Sequence, residues 1–436
     1  MRRTLLVVAM LGVIALALVL LVLAPWWALV AFVVLLGAWM ALTRTGRQTW
    51  SVTEVGLATI PQRLGSSSVV IVGIAGVVGV LVALLAMAVG FEATLKQTGG
   101  DDTVIMLRSG AQTELNSVLS HENAELLAQQ AQVQRNAKGQ PLASPELVVV
   151  ASLAKKSNGL DANVEIRGVG EHAWEVHPNV KVVAGRRFTP GLRELIVGKG
   201  AHEQFRGLDL GSMLKLNGQE WTVVGEFESG DAHDSELWAD TDVVGSTYRR
   251  GASTTAVVAK LTSPAAFDAL KASVASDPRL KQDVLTTRAY YSAQSERLST
   301  LISILGKVVG VIMAVGAVFG ALNTMYAAVA SRGREIATLR AIGFPGVSVV
   351  VSVLIETMLL ALLGGVIGAA VAWLLFDNYT ASTLGQNFSQ VVFAFHVSPT
   401  LLWSGLKWAL AIGFIGGLFP AVRAARIPVT AGLREL

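Results

Sequence analysis

Gly198-Lys199-Gly200 follows the expected strand 194–197 and has the residue types of a phosphate loop. Such a loop cradles phosphates with successive backbone N–H groups and a lysine, and its pattern is G-x-x-x-x-G-K-[ST]. The earlier glycine and the final Ser/Thr are missing here, so no nucleotide site is expected in this chain. The acidic run Glu226, Glu228, Asp231, His233, Asp234, Glu236, Asp240 and Asp242 has oxygen ligands enough for a divalent cation. It lacks the D-x-D-x-D-G order of a calcium loop and Gly230 breaks it early, so a solvated loop is the expectation. The six His are scattered without H-x-x-x-H spacing and cysteine is absent, which leaves no pattern for zinc or a thiol nucleophile. No G-x-S-x-G elbow marks a serine nucleophile. The chain is expected not to be an enzyme, and to carry no catalytic residue, metal or cofactor of its own.

A different kind of chemistry, protein docking, is offered by Ser331-Arg332-Gly333-Arg334-Glu335-Ile336-Ala337-Thr338-Leu339-Arg340-Ala341-Ile342-Gly343-Phe344. The pattern predicts a short amphipathic helix that stops at Gly343, with Pro345 just beyond. Ile336, Leu339 and Ile342 or Gly343 then face one groove, flanked by arginines. The arginines alone would fit any basic inner loop of a membrane protein.

The elements around these residues follow from composition. Of 436 residues, 52% are hydrophobic and 15% charged, and the mean hydropathy is +0.54. Soluble domains are about a quarter charged, so disorder and an ordinary cytosolic enzyme are both excluded. Apolar runs long enough for a bilayer of about 30 Å occur at 5–24, 26–42, 68–90, 308–330, 349–376 and 401–420. The first resembles a signal peptide behind Arg2 and Arg3, but its apolar core is too long and a second run follows at once. Six spans are therefore expected, the first two forming a hairpin that turns at Pro25. The segments that this assigns to the cytoplasm hold eleven Arg, no Lys and three acids, net +8. Residues 92–297 hold 22 basic and 26 acidic residues, net −4. The net charge of +4 thus records membrane orientation, with both termini inside, and not a nucleic-acid surface.

The expected division is an N-terminal transmembrane hairpin (1–43), a cytoplasmic amphipathic segment (44–67) whose stretch 50–64 lies on the membrane surface, a span (68–91), a periplasmic two-lobed domain (92–300), a transmembrane stalk helix (301–330), the docking helix (331–348), two further spans (349–420) and a cytoplasmic tail (421–436). Within the outer domain, 112–134 reads as helix. Segments 146–154 and 162–168 read as strands around Ser157-Asn158-Gly159. Segments 212–216 and 219–227 flank Asn217-Gly218, a hairpin signal. Strands are expected at 254–261 and 284–286, and a helix from 264 to 275 capped by Ser263. The last helix runs from about Ala289 into the fourth span. In the spans, Gly306/Gly310, Gly316/Gly320, Gly364/Gly368 and Gly413/Gly417 have small-xxx-small spacing, either for close helix contact or through the ordinary abundance of glycine in membrane helices. Glu356 is an acid inside a span, where a structural or coupling role is expected ahead of proton relay. The fold class is an α-helical membrane protein with an inserted mixed α/β extracytoplasmic domain.

The docking segment with Asn323-Thr324-Met325 before it, and Phe419-Pro420-Ala421-Val422-Arg423-Ala424-Ala425-Arg426-Ile427-Pro428-Val429 at the chain end, closely resemble the coupling-helix region and terminal P-A-x-R-A-A-R signature of MacB/FtsX-type ABC transporter permeases. Glu356 with Gly364-Gly365, and Gly185-Arg186-Arg187-Phe188 leading to Val197, Gly211 and Asn217-Gly218, agree with it. The resemblance covers roughly residues 50–436. It implies a four-span core, here spans three to six, with the hairpin as an addition. It also implies a stand-alone permease subunit of an export or efflux system in the bacterial inner membrane, working as a homodimer or with a related permease. Its partners would be an ABC ATPase subunit carrying ATP-Mg, a periplasmic adaptor protein and membrane lipid, with no nucleic acid. ATPase contact falls by position on Arg332, Arg334, Glu335, Ile336, Leu339 and Arg340, and Glu356 and Asn323 become intramembrane structural or coupling residues. ATPase motion would pass to the periplasmic domain (mechanotransmission). Regulation of a cell-wall hydrolase and lipoprotein release are the alternatives.

Overall fold

The computed structural model describes residues 25–385 and 389–432. The described residues fall into two units: one from residues 25–87, 302–378 and 396–432, the other from 88–301, 379–385 and 389–395.

Four helices are long and apolar enough to cross a membrane: Ser67–Thr98, Thr287–Ser331, Gly346–Phe376 and Pro399–Arg426. Trp26–Leu42 and Arg44–Ala58, bent by 104°, would make a fifth. The expected span at 5–24 lies outside the described residues, and the described residues show four to five of the six spans that the apolar runs predict. The bend sits at Thr43, which leaves the helical conformation and accepts a hydrogen bond from the Gly46 N–H, starting the second helix. This helix, within the amphipathic segment 44–67, packs against a neighbouring helix. Its small face of Gly46, Thr49, Thr53 and Gly56 is buried, and the Thr49 hydroxyl donates to Ser348 at 3.1 Å. Only small side chains let a helix approach its neighbour this closely.

The glycine pairs separate into two groups. A Cβ on Gly364 or Gly368 would come within 2.7 and 2.4 Å of the backbone carbonyls of Ile71 and Ala75, and one on Gly413 or Gly417 would strike Ala361 and Thr357. These pairs are contact sites for the core helices. Gly316 and Gly320 face open space.

In the other unit, twelve strands are described. Ten form one sheet: β1 (Thr103–Arg108), β2 (Ala143–Ala154), β3 (Asp161–Val169), β4 (Lys181–Gly185), β5 (Glu194–Gly198), β6 (Met213–Leu216), β7 (Gln219–Glu228), β8 (Glu236–Asp240), β9 (Ala256–Lys260) and β10 (Gln282–Thr286). The order is β10-β1-β9-β2-β3-β8-β5-β7-β4, with β6 on β7. The remaining two, β11 (Thr380–Leu384) and β12 (Gln390–Ala394), pair as a hairpin. Asn217 (φ 45°) and Gly218 (φ 82°) adopt the left-handed turn that a two-residue hairpin needs, and this sets the β6–β7 register. Long β2 pairs with β9 at its start and with β3 at its end, so it belongs to both halves of the sheet. One apolar core gathers Val104, Met106, Leu119, Leu127, Val257 and Leu270; a second gathers Leu147, Ile166, Phe205, Trp221 and Leu237.

Two local expectations are corrected. Residues 112–134 are not one helix; only His121–Ala128 is α-helical, started by Ser120, which accepts from the Asn123 N–H. Leu119 instead pairs with Thr254 in extended backbone, and Glu114 is drawn inward. Ser263 does not cap with its side chain; the chain passes through a 3-10 turn at Pro264–Ala266 before helix Phe267–Ser276. Helix Thr287–Ser331 is unbroken over 45 residues, from the end of β10 to the docking segment.

Candidate functional site

Helix Gly333–Ala341 is the expected docking helix, and three of the six predicted contact residues, Arg332, Ile336 and Arg340, are occupied within the protein. Arg332 precedes it and turns inward, with Nη1 donating to Glu356 Oε2 at 3.0 Å and Nη2 to the Gly56 carbonyl at 2.7 Å. Arg63 donates to the other oxygen of Glu356 at 3.1 Å. Glu356 is buried because two guanidiniums compensate it, which is how a carboxylate is kept inside such a helix. Ile336 is buried among Met325, Val329, Val349, Val353, Ala421 and Ala424. Arg340 Nη1 donates to the carbonyls of Ala425 (2.7 Å) and Ile427 (2.8 Å), at the C-terminal end of the last long helix. Leu339 is half-buried beside Val52, Val55 and Ile336 in a shallow apolar groove.

The exposed residues are Arg334, Glu335, Thr338, Ala341 and Ile342. Ile336 and Ile342 therefore do not share the groove that their spacing suggests: nine-residue helix Gly333–Ala341 ends before Ile342, which is 69% exposed. Asn323 is exposed on helix Thr287–Ser331 and is not joined to Glu356.

A second site escaped the sequence. Arg167, on β3, is buried and uses all five of its N–H donors on three carboxylates. Nε and Nη2 grip both oxygens of Glu236 at 2.8 Å each. Nη1 and Nη2 reach Glu114 at 2.6 and 3.2 Å, and Nη1 also reaches Glu146 at 2.9 Å. Glu146 lies on β2 and Glu236 on β8, so the guanidinium staples three adjacent strands to the loop after β1. Other groups hold these carboxylates too: His177 Nε2 lies 2.8 Å from the second oxygen of Glu146, while His233 Nδ1 at 3.1 Å and the Trp238 indole N–H at 2.7 Å share the Glu236 oxygen that Arg167 Nε grips. The carboxylates of this cluster are thus engaged by hydrogen-bond partners. That fits a structural staple rather than a general base, and the site has no role from sequence alone because Glu114, Glu146, Arg167 and Glu236 are far apart in the chain.

Part of the acidic run belongs to this cluster, which corrects its reading as a solvated loop. His233 and Glu236 are buried. Asp231 and Asp234 accept backbone N–H groups of His233, Ser229 and Gly230, and Asp240 accepts those of Asp242 and Val243. Among the described residues no group of three or more His, Asp or Glu is placed to hold a metal ion. At Gly198 a Cβ would meet the Asp234 carbonyl at 2.4 Å, and Lys199 pairs with Glu228 at 2.7 Å. The glycine serves close packing and the lysine is engaged.

Burial opposes charge throughout the staple, and its ion pairs outweigh it. Burial pushes Glu146 up, but His177 and Arg167 bring it down to about 2. Burial pushes Glu236 up, and Arg167 and His233 hold it well below the carboxylate range. Burial pushes His233 down, but Glu236 and Asp231 raise it from 6.5 to about 9. A raised histidine stabilises fully below its unfolded value and loses that contribution as pH climbs to the folded one; lowered carboxylates do so in the opposite sense. Stability should therefore be flat between about pH 4.5 and 6.5. It should fall by about 3 kcal/mol as pH rises to 9, since each tenfold drop in proton concentration across that window removes about 1.4 kcal/mol. It should fall again below pH 4.5. Tryptophan fluorescence of the full chain during thermal unfolding, read across pH 3–10, checks this; a midpoint unchanged from pH 6 to 9 would contradict it.

Residues 67–277 match the family described as the MacB-like periplasmic core domain, and residues 307–429 the FtsX-like permease C-terminal. The Bacillus subtilis (strain 168) protein named "Uncharacterized ABC transporter permease YknZ" is 25% identical over 414 residues, covering 87% of this chain and 98% of that protein. "Macrolide export ATP-binding/permease protein MacB 1" of Aeromonas hydrophila subsp. hydrophila is 27% identical over 394 residues, 84% of this chain but 57% of the relative's length. The solved periplasmic region of MacB from Actinobacillus actinomycetemcomitans is 16% identical with a TM-score of 0.34, covering 44% of this chain and 92% of that one. The extracellular domain of the transporter YknZ from Gram-positive bacteria is 18% identical with a TM-score of 0.30, covering 39% and 88%. Scores this low carry no argument by themselves.

Proposed function

Because this chain is an ABC transporter permease of the MacB/FtsX type, we propose that it serves an export system and passes ATPase-driven motion to its outer domain. The ATPase, with its ATP-Mg, would be a separate subunit bound at the helix Gly333–Ala341. The observation that carries this reading is the fastening of that helix on both sides. Arg332 ties its start to Glu356 and Gly56, and Arg340 ties its end to Ala425 and Ile427. A helix so clamped moves as one body with the long helices, while Arg334, Glu335, Thr338 and Ile342 are left to meet a partner. ATPase contact is therefore assigned to these exposed residues, and Arg332, Ile336 and Arg340 become the residues that transmit it. The 45-residue helix Thr287–Ser331 ends at this clamp and would carry displacement along its length. Its exposed apolar residues, Val311, Ile312, Val315 and Phe319 among them, suit lipid or a second copy of the chain. A homodimer in the bacterial inner membrane and a periplasmic adaptor complete the proposal.

The experiment is ATP hydrolysis by the neighbouring-gene ATPase reconstituted in lipid with this chain. Ile342→Asp and Arg334→Glu, both at exposed positions, should reduce stimulated hydrolysis to the level of the ATPase alone while leaving the thermal midpoint of the chain unchanged. Full stimulation by both variants would remove the coupling assignment.

A further inference from the structure

A pocket of about 190 Å³ opens in the sheet domain where the chain passes into β1 and out of β10, lined by residues that include Thr98, Gly100, Asp102, Asp231, His233, Lys260 and Thr287. An engineered cavity of about 150 Å³ holds benzene, so this one has room for a molecule of about eight non-hydrogen atoms. His233 lines it and is 1% exposed; its Nδ1 is taken by Glu236, and its Nε2 is buried with no partner among the described residues. A buried donor left unpaired costs about 1–3 kcal/mol, and a ligand oxygen in the pocket would remove that cost. The neighbouring charges define the rest of the ligand. Lys260 stands on the rim, 30% exposed and 4.0 Å from Asp102, and Asp231 is buried. His177 also lines the pocket, but its Nε2 is engaged by Glu146. Held as an imidazolium by Glu236 and Asp231, His233 joins Lys260 as the second cation against two carboxylates. A simple anion or cation would unbalance this set; a molecule carrying both signs would not.

We infer that this pocket binds a small zwitterion of amino-acid size, its carboxylate on His233 Nε2 and Lys260 and its ammonium toward Asp231 and Asp102. The residues it would touch include Thr98–Gly100 and Thr287, the two points where the chain joins the flanking long helices, so occupancy would brace both connections.

The test is equilibrium dialysis of radiolabelled L-threonine against the full chain in lipid nanodiscs. Saturable binding of about one molecule per chain is expected, displaced by unlabelled L-threonine but not by equal concentrations of butyrate or propylammonium. Lys260→Met, on the half-exposed rim where folding is not at stake, should weaken binding about tenfold or more, as loss of a charge-assisted hydrogen bond does. His233→Gln should abolish it. Absence of saturable binding, displacement by butyrate as effective as by threonine, or unchanged affinity in Lys260→Met would each overturn the inference.

Discussion

Arg167→Met should abolish the native fold of the sheet domain. Its side chain is 2% exposed and provides the five N–H groups that hold Glu114, Glu146 and Glu236. Removing one partner of a buried ion pair costs about 3–5 kcal/mol because the other charge stays buried. Here three carboxylates lose their common cation, with only the histidines left to offset them. That loss is comparable to the whole stability of a typical domain, about 5–15 kcal/mol. Arg167→Lys should rescue little: an ammonium has three donors and no planar fork, so it cannot grip both oxygens of Glu236 while reaching Glu114 and Glu146. Full-chain protein in detergent, assayed by limited proteolysis and tryptophan fluorescence, should show cleavage within 100–290 for both variants. Native-like resistance in Arg167→Met would mean that the network contributes little net stability.

Glu356→Gln should loosen the clamp at helix Gly333–Ala341. The substitution removes the carboxylate that holds Arg63 at one oxygen and Arg332 at the other, and their side chains are 20% and 15% exposed. The expected cost is about 3 kcal/mol, toward the lower end for a broken buried pair because the guanidiniums keep some access to solvent. A double-mutant cycle with Arg332→Gln separates a direct interaction from two independent effects. The two variants should be non-additive by about 1–3 kcal/mol in thermal unfolding, since residues in one network couple on that scale. Additive losses would show that the contact is incidental. In the reconstituted ATPase assay, Glu356→Gln should also lower stimulation, because a loosened clamp transmits less of any motion imposed on the helix.

Much of the architecture is legible in the sequence because it depends on local rules. Apolar length marks the four long helices, Asn217-Gly218 marks its hairpin, and Ser157-Asn158-Gly159 separates β2 from β3, with Gly159 at φ 71°. Glu356 is recognisable as exceptional because a carboxylate in an apolar run needs a partner. Its partners are not, since Arg63 lies 293 residues earlier in the chain and only the packed helices bring the two together. The staple is illegible for the same reason, and an acidic run with one histidine reads as solvated until Arg167 is set beside it. The docking helix is legible as an element but not in its orientation. The i, i+3, i+6 spacing of Ile336, Leu339 and Ile342 makes one broad stripe only if the helix continues, and Gly343 at φ 100° follows its end too closely.

The hairpin of β11 and β12 reads in the sequence as no more than a short loop between the last two spans. It belongs to the sheet domain: Ser389 donates to buried Glu165 at 3.0 Å, the Ser235 hydroxyl accepts from the Val392 N–H at 2.8 Å, and Phe393 meets Phe91 edge-on. This gives assembly a fixed timetable. Residues 302–378 must be synthesised between the bulk of the domain and its final piece, which at about 5–20 residues per second takes several seconds. During that interval the hydrogen bonds from Ser389 to Glu165 and from the Val392 N–H to Ser235 cannot form. The domain is completed only when the penultimate long helix has been made and the hairpin after it has arrived, so a chain that stalls in that helix carries an unfinished sheet domain.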